Sequence, residues 1–378
     1  MGRAVWLGVA QCIAWGTLFY WFGLVLPPMQ RELGGSVVAL SGAFSLALAV
    51  SGLVGLAVGR WVDRGRERPV FFGGVALGVA ALLAWSRLDS VVVLYATMTA
   101  MGAAMAMTLY DPAFALVDRW YPTVAEKNRA LTIVTLLGAL ASPIFVPIAT
   151  TAIGRLGWRP TLVGGAIGLA ASALIYNHLL KPLGGDPRPA PSEPPPFGRD
   201  LWWLGAGAFG SSFGGVLVAT YLPFYLTSRG QPLTVAAMVI AAMGLAQFPA
   251  RLVIAGLTTR WGTSRVFAVS LTLQAFAVAL FPLTRTPALL GLAGAVFGAG
   301  NGAATMLRAV AARELTGGRG YGATVSRLGA FAIAARALAP VGGALLATMG
   351  GPVPFALAAA LLLAGAVGNA RSTRSIEM

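Results

Sequence analysis

Runs of about 20 apolar residues recur from one end of the chain to the other, each long enough to cross a bilayer as a helix. Hydrocarbon offers no water to the backbone, so a crossing segment must be a helix or a strand of a closed barrel. These runs are continuous rather than alternating in short segments, which argues against an outer-membrane barrel. An all-α membrane protein is therefore expected. Its twelve spans fall near residues 4–27, 37–60, 70–88, 91–118, 130–153, 160–180, 201–226, 234–258, 266–284, 288–312, 321–347 and 353–370. Only 10% of the residues are Asp, Glu, Lys or Arg, where a soluble domain carries about a quarter.

The formal net charge of +15 follows the spans and does not point to nucleic acid. With the N-terminus in the cytosol, the inner loops and tails hold 17 Lys and Arg and the outer loops six. That bias puts both termini in the cytosol. The first span is too long for a signal-peptide core and lacks a small-residue cleavage site, so it is expected to be retained. Cys12 is the sole cysteine, which leaves no internal disulfide and no cysteine-based metal site. Arginine outnumbers lysine 25 to two, the usage of a GC-rich bacterial genome. A bacterial inner (plasma) membrane is the expected location.

The stretch "KPLGGDPRPAPSEPPPFGRD" (181–200) carries seven prolines and cannot be a span. It separates six helices from six, giving bundles at 1–180 and 201–370, a cytoplasmic linker at 181–200 and a tail at 371–378. The halves repeat. Pro143 matches Pro340, Gly59 matches Gly256 and Asp111 matches Arg308, each 197 residues on, while Pro27 matches Pro223 after 196. Parallel repeats of this kind are related by a pseudo-two-fold axis along the membrane normal, with a substrate site near the midplane.

Twelve spans in two halves and the loop "GRWVDRGRER" (59–68) resemble the major facilitator superfamily, whose signature after span 2 runs Gly, Asp-Arg, then Gly and basic residues. Here the loop is one residue short between Asp63 and Arg66. The resemblance implies that Asp63, with Arg64 and Arg66, latches an inner gate. Further stretches, "YDPAFALVDRWYP" and "GLAQFPARLVIAGL" among them, are similar to bacterial members of the monocarboxylate and oxalate/formate group. That group uses an arginine in span 8 and a basic residue in span 11 to hold carboxylates. Arg251 matches the first by its Gln247-x-x-x-Arg context, and Arg336 or Arg327 the second.

Four arginines lie inside expected spans: Arg251, Arg308, Arg327 and Arg336. Four at helix centres would cost on the order of 10–14 kcal/mol, comparable with the roughly 5–15 kcal/mol stability of a typical domain. Each must be paired, reach the interface or line water. Arg308 and Arg327 lie about 8–9 Å inside at 1.5 Å per residue, within snorkelling reach. Arg327 and Arg336 are nine residues apart, half a turn out of phase, and Arg336 shares its face with Gly329, Ala332, Pro340 and Gly343. Small residues mark contacts or cavities, so Arg336 is expected at the cavity. Asn301, Thr305 and Arg308 form a polar stripe on span 10. Thr108 and Asp111 stand at i and i+3 on span 4, where Asp111 is the only carboxylate well inside a span. The repeat suggests an Asp111–Arg308 pair; Arg119 is the alternative partner. Tyr20 shares a face with Gly16, Gly23 and Pro27.

Four buried arginines against one aspartate favour an anion, and a guanidinium fork fits a carboxylate. The expected function is a secondary active transporter moving a small organic carboxylate by alternating access. Its expected substrate-binding residues are Arg251, Arg336, Tyr20, Gln247 and Asn301. Its gating or coupling residues are Asp111, Arg308, Asp63, Arg64 and Arg66. The expected partners are an anionic small molecule, protons or a counter-anion, and the lipid bilayer, with the chain acting as a monomer and without nucleic acid. No metal, cofactor or catalytic constellation is expected. Drug or other small-molecule efflux by proton antiport is the alternative, but span 5, "GALASPIFVP", lacks the Gly-Pro such exporters carry. A non-transporting sensor is a remote one.

Overall fold

The computed structural model describes residues 1–180, 198–316 and 321–372. Most of the expected linker and the end of the tail, 373–378, lie outside the described residues. Among the described residues, twelve helices are long and apolar enough to span a membrane: Gly2–Leu33, Val37–Asp63, Glu67–Trp85, Val91–Trp120, Ala125–Leu156, Trp158–Leu179, Arg199–Thr220, Leu233–Ile254, Thr263–Leu280, Pro287–Thr316, Thr324–Ala347 and Val353–Arg371. They are numbered here as spans 1 to 12. The chain divides into two compact units, Met1–Arg188 and Pro189–Met378.

Sequence sets where the helices start. Ser36 and Ser90 cap spans 2 and 4 through their hydroxyls, which accept from the Ala39 and Val93 amides. Thr123 and Glu126 form a reciprocal capping box at the start of span 5. Prolines set where helices break. Span 5 is interrupted at Leu140, ahead of Pro143. Span 7 ends at Thr220, and a separate helix Leu222–Ser228 begins with Pro223 near its start. The single helix expected over 201–226 is thus two, with Pro223 in the first turn of the second, where its missing N–H costs no helical bond.

Within each unit the closest packing comes from glycines. A methyl group added at Gly102 of span 4 would overlap the Ala47 carbonyl of span 2. One added at Gly298 of span 10 would overlap the Met243 carbonyl of span 8. Both members of the pair shift by 196 residues between the units, so the repeat extends to a backbone contact. Along span 10 the glycine row continues on both sides. A Cβ at Gly294 would lie 2.6 Å from the Val239 carbonyl oxygen, and one at Gly302 would lie 2.9 Å from Gln247 Cβ. Only glycine allows helices to approach this closely.

Candidate substrate-binding and coupling residues

The glycine row positions Arg251. Residues 239, 243 and 247 of span 8 meet 294, 298 and 302 of span 10 at four-residue spacing, and Arg251 is the next residue in that row. Its Nη2 donates to Gln247 Oε1 at 3.2 Å, one turn back on the same helix. Gln247 is buried and Arg251 half-buried. On span 11, Arg336 is half-buried and Arg327 exposed.

Asn301 is engaged elsewhere. Its Nδ2 donates to the Ser211 carbonyl at 3.3 Å and to Ser211 Oγ at 3.2 Å. Ser211 Oγ donates in turn to Gln274 Oε1 at 2.8 Å. This buried network ties spans 7, 9 and 10 together and takes up the donors of Asn301, leaving it an acceptor. Thr305 donates to the Asn301 carbonyl at 2.9 Å, so part of the expected polar stripe on span 10 satisfies its own helix. Arg308 is half-buried in the second unit.

In the first unit, span 1 carries a π-helical turn over Gly16–Tyr20. The turn shifts the register, so Gly16, Tyr20, Gly23 and Pro27 do not form the single helical stripe that 3.6-residue spacing predicts. Gly16 sits against the Phe145 ring. Tyr20 is half-buried and meets the Phe19 ring edge-on at 5.1 Å. Turns of this type cluster at functional sites.

Span 4 is not continuous either. It stops at Thr108, and a new helix runs Tyr110–Trp120. Pro112 has no N–H to give the Thr108 carbonyl four residues back. Gln11, fully buried on span 1, supplies that bond through Nε2 at 2.7 Å. The i, i+3 pairing expected of Thr108 and Asp111 is therefore lost. Thr108 is buried and donates to the Ala104 carbonyl at 2.7 Å, whereas Asp111 is exposed in the first turn of the new helix. The alternative partner Arg119 is committed elsewhere. Its Nη1 binds Glu67 Oε2 at 3.0 Å and the Val62 carbonyl at 2.7 Å. Within the first unit, Asp111 has no ion-pair partner among the described residues.

Asp63, Arg64 and Arg66 lie at the turn between spans 2 and 3, and all three are exposed. The turn is a Schellman-type stop. Gly65 takes φ +76°, its amide donates to the Val62 carbonyl, and the Arg66 amide donates to the Trp61 carbonyl. Glu67, which sequence reasoning passed over, is buried beneath this turn with Arg119. Another cluster it missed joins the opposite ends of spans 1 and 6. Glu32 accepts from Trp158 Nε1 at 2.6 Å and from Arg159 Nε at 2.9 Å. Arg159 also caps the Ser86 and Leu88 carbonyls beyond span 3. A lone acid at the end of a long apolar run was the available signal.

Against known proteins, a 113-residue stretch is 32% identical to the oxalate:formate antiporter of Oxalobacter formigenes. The match covers 30% of this chain and spans about a quarter (26%) of that relative's length. Two solved structures resemble the whole chain, each with a TM-score of 0.75. One is a bacterial homologue of the human lysosomal transporter Spinster, inward-facing and occupied, at 16% identity over 98% of this chain and 96% of that one. The other is the nucleoside transporter NupG (D323A mutant), at 13% identity over 99% and 98%. At such identities they establish the fold alone. The family model of the Major Facilitator Superfamily matches residues 7–243, well over half of the 378 residues, and the chain belongs to that superfamily.

Proposed function

We propose that the protein is a secondary transporter that moves a small organic carboxylate by alternating access. The observation that carries this reading is Arg251, an arginine in an apolar span whose guanidinium is oriented by Gln247 at 3.2 Å. A guanidinium carries five N–H donors in a planar fork that matches a carboxylate. The stretch of identity with an oxalate:formate antiporter supports the same chemistry. In this reading Arg336 holds a second carboxylate or the far end of the substrate, and Tyr20 lines its path. Asn301 serves indirectly by fixing span 10 against span 7. Asp111 is the coupling carboxylate, exchanging with protons or opposing a counter-anion. Asp63, Arg64, Arg66 and Arg308 belong to the gate. We place the protein as a monomer in a bacterial inner membrane with both termini in the cytosol.

The test is uptake of mono- and dicarboxylates into proteoliposomes. Arg251→Lys keeps the charge but loses the fork, and a charge-assisted hydrogen bond is worth about 1.5–3 kcal/mol. Uptake should fall by about tenfold or more at unchanged expression, and Arg251→Ala should abolish it. Wild-type uptake by Arg251→Ala would sink the carboxylate-binding assignment.

A further inference from the structure

The buried network that joins spans 7, 9 and 10 has a direction, and backbone carbonyls set it, because a carbonyl oxygen can only accept. The Ser270 carbonyl faces the amide nitrogen of Gln274, whose Nε2 donates to it at 3.1 Å. Gln274 Oε1 is left as an acceptor and takes the Ser211 hydroxyl proton at 2.8 Å. Ser211 Oγ, its proton spent, accepts from Asn301 Nδ2 at 3.2 Å. The Ser211 carbonyl also requires Nδ2, at 3.3 Å. Turning either amide over would set oxygen against oxygen, so Asn301 Oδ1 points away from the network. It accepts no hydrogen bond among the described residues, and it stays accessible. One turn on, the exposed Thr305 gives its hydroxyl proton to the Asn301 carbonyl at 2.9 Å. Both side chains therefore present lone pairs and no proton. This face of span 10 has nothing to give a carboxylate, and it has two acceptors for a donor.

Arg251 works at the same depth. Gly302, the residue after Asn301, meets Gln247 of span 8. Arg251 lies one turn further along that span, but its guanidinium reaches back to Gln247 Oε1 at 3.2 Å, the direction in which helical side chains lean. The guanidinium and the Asn301 amide thus stand within about one turn, roughly 5 Å, of a common level on neighbouring helices of the second unit. One supplies donors and the other an acceptor. A molecule that satisfies both carries a carboxylate and, beside it, a hydrogen-bond donor. An apolar group set against Asn301 Oδ1 would strip that oxygen of water and leave it unpaired, which costs affinity.

We propose that Asn301 determines specificity: its Oδ1 selects, among small carboxylates, those that carry a hydroxyl or ammonium donor. The proposal rests on Arg251 as the carboxylate partner. The test uses purified full-length protein and calorimetry with three acids of matched size: glycolate with a hydroxyl, glycine with an ammonium, and propionate with a methyl group in the same place. Glycolate, glycine or both should bind the wild type about tenfold tighter than propionate, and the acid that does so identifies the donor. Asn301→Leu, close in volume, should remove that difference and leave propionate within about twofold of its wild-type affinity. Ser211→Ala loosens the network but keeps the carbonyl that orients Nδ2, so it should lower the melting temperature and retain the preference. Equal binding of the three acids by the wild type overturns the selection. A preference that survives Asn301→Leu overturns it too, and so does one that Ser211→Ala abolishes as fully as Asn301→Leu. Arg251→Ala separates this proposal from the one it rests on. If that variant binds propionate as the wild type does, the carboxylate assignment falls. If it loses propionate while the wild type shows no preference, the role of Asn301 falls alone. Binding of none of the three acids by the wild type overturns both.

Discussion

Arg336 and Arg327 show how much a single position on a helix decides. They stand half a turn apart on span 11, and the structure leaves Arg336 half-buried and Arg327 exposed. An arginine that reaches water costs little, whereas one held inside must be occupied by a partner. In the proposed transporter, Arg336→Gln removes the partner of a second carboxylate. Its apparent affinity for a dicarboxylate should fall about tenfold and that for a monocarboxylate far less, measured by competition in uptake. A larger defect from Arg327→Gln would assign the role to the other face. Gln11 shows the opposite case, a fully buried residue with a structural partner. Nothing around it in "LGVAQCIAW" marks it as special, because that partner is a backbone carbonyl 97 residues away.

At the scale of elements, the break in span 4 couples two distant substitutions. Pro112→Ala restores an N–H that can reach the Thr108 carbonyl, which makes the Gln11 bond redundant. Alone, Gln11→Leu leaves a buried carbonyl unsatisfied, at a cost of about 1–3 kcal/mol. In a Pro112→Ala background the same substitution should cost markedly less, and melting temperatures of the two singles and the double give the interaction. Simple additivity would show that water or another group already serves that carbonyl. The spans themselves were legible in the sequence because the thickness of hydrocarbon imposes a length and composition that few other structures share. Their interruptions were less so. Pro112, Pro143 and Pro223 were visible, but a proline in a span bends, breaks or is absorbed according to what neighbouring helices offer its orphaned carbonyl. The π turn at Gly16–Tyr20 carries no proline at all. Arg251 and Gln247 were legible as a pair from their four-residue spacing. The Asn301 network was not, since its partners come from spans 7 and 9.

For the molecule as a whole, the asymmetry of basic residues predicts a topology that can be probed chemically. Cys12 is the only cysteine and is buried, so Cys12→Ser gives a clean background. In intact cells, a cysteine placed at Ser228 should react with a membrane-impermeant maleimide, and one at Ser192 should react only after lysis. The reverse pattern would invert the proposed orientation. The glycine row between spans 8 and 10 has a mechanical meaning. Where backbone touches backbone at Gly298, no side chain intervenes to change rotamer and absorb a displacement. The two helices form a stiff strut rather than a pair of sliding rods. In the proposed transporter, a force applied to the Arg251 side chain by an arriving anion would therefore reach span 10 without slack.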